Sequence, residues 1–203
     1  MLLLLFGVAV VAAALFFFGR LRTRLEASFL ADELREMGEG TWQARPIDPR
    51  RGPLSPGMLS GEVSGDPVEV AGPFLFLPFE HSRELAIVRQ ETPAHASESF
   101  VPSGYEALDC ALAFRSADAG WLRGFLSRED VRKALAPLCT RAADDPSFIA
   151  VRAGRGVGEP PYRQLVGGRS GLFFFRDPEV GALDATEIAD LVRILVPLKR
   201  TLA

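Results

Sequence analysis

MLSGEVSGDPVEVAGPFLFLPFEHSRELAIVRQ, residues 58–90, is the stretch whose reading decides the fold. Met58–Val63 is short and partly alternating, and Ser64-Gly65-Asp66-Pro67 has the composition of a turn. Val68–Phe79 is apolar and rich in β-forming side chains, with Pro73 marking a break or an edge position. A third run, Glu84–Gln90, contains Leu85, Ile87 and Val88. Turn residues between apolar runs predict a hairpin from the first two and an antiparallel meander from all three. Pro73–Phe79 and Leu172–Phe175 alternate poorly, so both faces of these strands are expected to be covered. Burial within the domain is the first expectation, and a partner-binding or lipid-binding face is the alternative.

Outward toward the C-terminus, polar residues 91–103 interrupt the pattern. Leu108, Cys110, Leu112 and Phe114 then share one side at period two, which predicts a half-buried strand. Trp121–Leu126 reads as a helical turn. Ser127, with Asp130 three residues on, approximates a capping box before a helix carrying Val131, Leu135 and Leu138, with Pro137 near its end. Phe148–Arg152 and Leu172–Phe175 read as strands. In the last helix, Asp184 is the cap, Glu187 stands at N3, and Ile188, Leu191, Leu195, Leu198 and Leu202 form one stripe. That stripe is expected to lie across the Leu108–Phe114 face, and Pro197 is expected to kink the helix. The order of strands, helix, strands, helix predicts an α+β domain with a mainly antiparallel sheet and two packed helices.

Toward the N-terminus, residues 46–57 hold Pro46, Pro49, Pro53 and Pro56 and read as an extended loop, with Trp42–Ala44 a short strand before it. Residues 20–37 are helical, with Leu21, Leu25, Phe29, Leu30, Leu34 and Met37 apolar and Gly38 and Gly40 ending the run. Their stripe is expected to pack on the domain, the alternatives being a short coiled coil or a helix lying on a membrane. Residues 2–19, LLLLFGVAVVAAALFFFG, carry neither charge nor proline. At 1.5 Å per residue they give roughly 27 Å of helix, enough for the hydrocarbon core. The predicted organisation is a transmembrane helix at 2–19, a juxtamembrane helix at 20–37 and one globular domain over 42–203, with a proline-rich loop at 46–57. A cleavable signal peptide is the competing reading, because Ala12-Ala13-Ala14 suits cleavage. The missing basic n-region and the apolar residues that continue through Phe18 oppose it. Arg20, Arg22 and Arg24 follow the span and predict a cytoplasmic C-terminal domain, while cleavage would mean export.

The net charge is −3, with 23 basic and 26 acidic residues interspersed. No concentrated basic face is in view, which argues against nucleic acid as a partner. Lys133 and Lys199 are the only lysines, a bias expected of a GC-rich genome. Cys110 and Cys139 are too far apart for a CxxC motif. They are expected to be reduced, with Cys110 buried on a strand, and a disulfide between them is the alternative in an oxidising compartment.

His81, flanked by Glu80 and Glu84, is the weak candidate site, as a general base or metal ligand. The segment reads as an exposed turn, with His95 in the polar connector as a conceivable second ligand. The glycine-rich runs at 154–158 and 167–171 lack the Lys-Ser/Thr and the following helix of a phosphate loop. Ser103 and Ser170 lack a Gly-x-Ser-x-Gly setting. No residue is assigned as catalytic, and no cofactor or metal is called for. The leading reading is a membrane-tethered domain on the cytoplasmic side with a non-catalytic binding or scaffolding role. It would touch lipid through its N-terminal helix and a protein partner through the rest. The alternatives are a hydrolase-like membrane-anchored enzyme using His81 with a carboxylate, and an apolar-ligand or lipid-binding domain with a pocket under its final helix.

Overall fold

The structure, a computed structural model, describes residues 2–45, 58–90, 100–155 and 169–203, the side chains of residues 2–16, Arg20 and Arg155 excepted. The proline-rich run at 46–57, His95 and most of both glycine-rich runs lie outside the described residues. In chain order the elements are α1 (Leu2–Glu36), β1 (Thr41–Arg45), β2 (Met58–Val63), β3 (Asp66–Ala71), β4 (Phe74–Pro78) and β5 (Leu85–Arg89). They continue with α2 (Glu106–Asp109), β6 (Leu112–Arg115), α3 (Ala119–Ser127), α4 (Glu129–Asp144), β7 (Phe148–Arg155), β8 (Ser170–Arg176), a 3-10 turn at Pro178–Val180 and α5 (Ala185–Leu202). The strands form one eight-stranded sheet in the order β1-β2-β3-β4-β8-β7-β5-β6, each neighbour antiparallel to the next. The α+β, mainly antiparallel expectation holds.

Turn chemistry sets the first half of the sheet. Ser64 and Gly65, the two residues between β2 and β3, have φ of 52° and 83°. Positive φ at both positions is the signature of a type I′ hairpin turn, whose twist matches that of the strands it joins. Val68–Phe79 divides at Gly72-Pro73, so one apolar run becomes two paired strands. Gly72 supplies a φ of 59° ahead of the proline, the sign pattern of a type II′ turn. Pro73 is therefore a turn residue and not an edge residue.

The three-strand meander is corrected. β4 pairs with β8, and β8 and β7 stand between β4 and β5. Phe79–Glu84 leads the chain out of the sheet before β5 begins, and the apolar β8 takes the vacant edge of β4. The strand expected over Leu108–Arg115 is also corrected, because it begins only at Leu112. Asp109 accepts the Ser103 N–H at 2.8 Å and Ser103 Oγ accepts the Tyr105 N–H at 3.0 Å, and these local bonds wind 106–109 into a helical turn. Leu108 and Leu112 are both buried, a spacing of four that suits the turn as well as the strand pattern. The capping box at Ser127 does not form. Ser127 belongs to α3 and donates its hydroxyl to the Gly124 carbonyl, while Arg128 begins α4 without a side-chain cap. The box at Asp184 and Glu187 is present in full, and α5 continues through Pro197 to Leu202.

The sheet buries both faces. Leu75, Leu77, Leu172 and Phe174 join Ile188, Leu191, Leu195, Leu198 and Leu202 of α5 in the main core. Phe74, Phe76, Phe173 and Phe175 point the other way and form a second cluster, against which Phe100 packs. Helix α5 rests on α4, α1 and β4. That corrects its expected seat on the Leu108–Phe114 strand, since β6 is the far edge strand and packs under α2. Ala27, Ala31 and Leu34 of α1 are part of the same core. Arg35 Nε donates to the Trp42 carbonyl at 2.8 Å and Trp42 Nε1 to the Glu39 carbonyl at 2.9 Å, fixing the turn into β1. Among the residues whose side chains are described, which leave out 2–16, no helix is long and apolar enough to cross a membrane.

Leu195 is fully buried between helices and sheet. Leu195→Ala is expected to cost about 2–5 kcal/mol, the range for a leucine truncation that leaves a cavity. Urea unfolding followed by far-ultraviolet circular dichroism measures it. A loss below about 0.5 kcal/mol, typical of surface positions, would refute this packing.

Candidate functional site

Beyond Pro78 the chain is held by Ser170, whose carbonyl accepts the Phe79 N–H at 3.2 Å. Ser170 Oγ accepts the His81 N–H at 2.9 Å and donates to the His81 carbonyl at 2.8 Å. This places the imidazole between two aromatic rings, with centroids 5.5 Å from Phe79 and 5.9 Å from Trp121 of α3. Trp121 stacks on Phe125 at 5.2 Å, and Arg83 lies over Trp121 at 5.3 Å while bridging to Asp118 at 3.0 Å. The expected exposed turn is therefore corrected. His81 is half-buried, and its Nε2 is buried with no hydrogen-bond partner among the described residues. Glu80 and Glu84 are exposed, and among the described residues no carboxylate pairs with the ring.

Burial is the main cause that lowers the His81 pKa below its ordinary 6.5. A backbone contact with Leu202 opposes the shift and the positive charge of Arg83 adds to it. A neutral imidazole between aromatic rings, without a carboxylate to orient it, has the surroundings of a packing residue.

Sequence spacing gave no sign of two surface concavities. One, of about 580 Å³, is lined by Arg89, Leu108, Cys110, Ala111, Cys139 and Thr140 among others, so both cysteines open onto it. Cys110 follows α2 as its cap and is exposed, which corrects the expected core thiol. Cys139 of α4 is half-buried, and its pKa is pushed up to about 11, chiefly by burial and then by the charge of Asp109.

The other concavity, of about 670 Å³, runs between α4 and α5 over Arg141, Asp145, Glu187 and Arg193. Arg176 meets Glu187 at 2.6 Å, and Arg141 reaches Asp145 at 3.2 Å and Glu187 at 3.7 Å. Burial alone would raise the Asp145 pKa, but hydrogen bonds from Ser147 and the two arginine charges outweigh it and hold the carboxyl below 3.8. These charges pair with one another and clasp β8, α4 and α5 together. The only sequence hint was Glu187 as an N3 residue.

Most of the exposed large apolar side chains among the described residues are on α1. Of the stripe Leu21, Leu25, Phe29, Leu30, Leu34 and Met37 expected to pack on the domain, Leu34 and Leu30 do so, and the expectation is corrected for the other four. Ala27, Ala31 and Leu34 pack, whereas Leu21, Leu25 and Phe29 are 43%, 50% and 67% exposed. At 100° per residue Phe29 lies 200° around the helix from Ala27, so the two sets face opposite ways. Ala27 and Ala31 let α1 approach the domain closely, Leu34 fills the core beside them, and Leu21, Leu25 and Phe29 face outward. Arg22 and Arg24 are exposed on the same helix, Arg22 pairing with Glu26 at 2.7 Å.

Two outcomes follow from this geometry. His81 resists protonation when folded, so its contribution to stability is full above 6.5 and is lost as pH falls from there through its lowered folded value. Between about pH 7 and about pH 5, the native chain should lose more urea resistance than His81→Phe, which keeps the ring packing without the proton. Equal losses would refute the burial of the imidazole. For the thiols, maleimide at about pH 7 should label Cys110 in the folded protein and label Cys139 far more slowly. Labelling of Cys110 only after denaturation would contradict its place at the end of α2.

No family model matches the chain, and no curated protein sequence matches it. Among solved structures, the chain is similar to the crystal structure of the mycobacterial trehalose monomycolate transport factor A, TtfA, with 9% sequence identity, coverage of 87% of this chain and 94% of that chain, and a TM-score of 0.48.

Proposed function

We propose that this chain is a single-pass, membrane-tethered domain with a non-catalytic role in binding protein at the cytoplasmic face. The observation that carries the reading is the outward face of α1. Leu21, Leu25 and Phe29 are exposed on a helix whose opposite side is built into the domain core. Monomeric proteins rarely leave contiguous apolar surface bare, and such surface marks an interaction site. The His81 region, by contrast, is an aromatic packing cluster held by Ser170 and flanked by exposed carboxylates.

The tether rests on the sequence of residues 2–19 and on α1 being one helix from Leu2 to Glu36. A helix of this length spans roughly 52 Å, more than the hydrocarbon core, so its second half stands outside the bilayer. There it is clasped by the domain. Lipid contacts the apolar half, and Arg20, Arg22 and Arg24 sit at the cytoplasmic boundary.

The test is the location and mass of the full chain expressed with a C-terminal tag. The chain should stay in membranes through alkaline carbonate extraction, keep its N-terminal leucines by intact mass, and expose its tag only on the cytoplasmic side. A soluble, extracytoplasmic chain beginning at Leu15 would overturn the proposal.

A further inference from the structure

We infer that the concavity between α2 and α4 is a thiol–disulfide exchange site, where a small-molecule disulfide converts Cys110 and Cys139 into a reversible intramolecular disulfide. The inference goes beyond the tethered binding role and holds whether or not that role does.

Two walls bring the sulfurs to one space. Ala136, Cys139, Thr140 and Ala143 recur at i, i+3, i+4 and i+7, so they form one face of α4, and all four line the concavity. Cys110 lines it from the other side, where it caps the single turn of α2. Ala107 and Ala111 line that side too, so the walls beside both sulfurs carry mostly small side chains. Leu108 of α2 is buried in the same core as Leu138 and Ala142 of α4, and α carbons of the two helices come within 8 Å of one another. A disulfide needs α carbons about 4.4–6.8 Å apart. Closing the bond moves one helical turn toward α4 and leaves the strand order untouched.

The two thiols divide the chemistry. Cys110 is exposed, and a small disulfide meets it first. Its thiolate attacks one sulfur of the reagent, the S–S bond breaks, and one small thiolate leaves with the electron pair. Cys139 is half-buried, and burial pushes its pKa up to about 11, with the charge of Asp109 adding to the shift. It is therefore a poor first nucleophile at neutral pH and serves as the resolving thiol. It attacks the Cys110 sulfur of the mixed disulfide, expels the second small thiolate and passes its proton to it. Two electrons go from the cysteine pair to the reagent, which ends as two thiols. The concavity, of about 580 Å³, has the size of a small-molecule site, roughly 300–1,000 Å³. Cys110 and Cys139 are the chain's two cysteines, so no third thiol competes. The bond closes residues 110–139 into a loop that contains α3, and it ties the entry to the edge strand β6 onto α4.

The reduced full chain, incubated with glutathione disulfide at about pH 7.5 and quenched with acid, tests the site by intact mass and peptide mapping. The native chain should end lighter by two hydrogen atoms, with Cys110 joined to Cys139. It should keep the circular dichroism spectrum of the reduced protein and return fully to the dithiol on adding dithiothreitol. Cys139→Ser should stop at one glutathione adduct on Cys110, and Cys110→Ser should react at least about tenfold more slowly than the native chain. A native chain that keeps the adduct on Cys110 overturns the inference, as does one that links only to other copies. So does a disulfide that forms only after urea has unfolded the chain, because the fold would not then be what brings the sulfurs together.

Discussion

The pairing of β4 with β8 is the contact on which the rest of the domain depends. It joins the N-terminal meander β1-β2-β3-β4 to the half formed by β8, β7, β5 and β6. Phe74 stands opposite Phe175 and Phe76 opposite Phe173, with ring centroids 5.4 and 4.6 Å apart. The alternate residues Leu75, Leu77, Leu172 and Phe174 turn toward the helices. A slip of one residue by either strand would turn its side chains over and place two phenylalanines where α5 packs. Gly171 leaves room for this register, since a Cβ there would lie 2.1 Å from the Phe76 ring.

Ion pairs with limited access to water then fix how the helices and turns sit on the sheet. Lys199 near the end of α5 meets Asp66 of the β2–β3 hairpin at 2.7 Å, and Arg200 reaches the same carboxylate at 2.9 Å. Burial alone would raise the Asp66 pKa, but the bonds and charges of Lys199 and Arg200 outweigh it and hold it below 3.8. On the other face Arg169 makes a two-pronged contact with Glu69, at 2.9 and 2.7 Å, and lies over the Phe76 ring at 4.8 Å. Such pairs add little net stability over apolar replacements, because desolvation offsets most of the attraction. Their role here is geometric. Each joins segments far apart in the chain.

Helix α1 connects this architecture to the proposed function. Its alanine face belongs to the domain core, so the domain is fastened along the helix by packing and does not swing from a loop. The same fastening turns the bulky residues outward. A helix with two working faces needs each to suit a different partner: Ala27, Ala31 and Leu34 fit the domain core, and Leu21, Leu25 and Phe29 face away from it.

The sequence by itself determined the elements with strong local causes. The turn at Ser64-Gly65, the capping box at Asp184 and Glu187, the stripe of α5, and the apolar runs of β4 and β8 follow from backbone chemistry and periodicity, while the turn's type and its end before Asp66 came with the strand pairing. Other features needed the tertiary structure, because their causes act between distant residues. Strand order was one, since β5 could as well have joined β4 until β8 took that edge. The face of α1 was another, because hydrophobicity favoured Leu21, Leu25 and Phe29 along with Leu34, while close approach to the domain favoured Ala27 and Ala31 beside Leu34. The period-two run at Leu108–Phe114 was misleading where Ser103 and Asp109 bonded the backbone into a helical turn. His81 looked like an exposed residue between carboxylates because its aromatic neighbour Trp121 is forty positions away in the chain. Local chemistry chose the elements, and competition for the two faces of one sheet decided what each residue would touch.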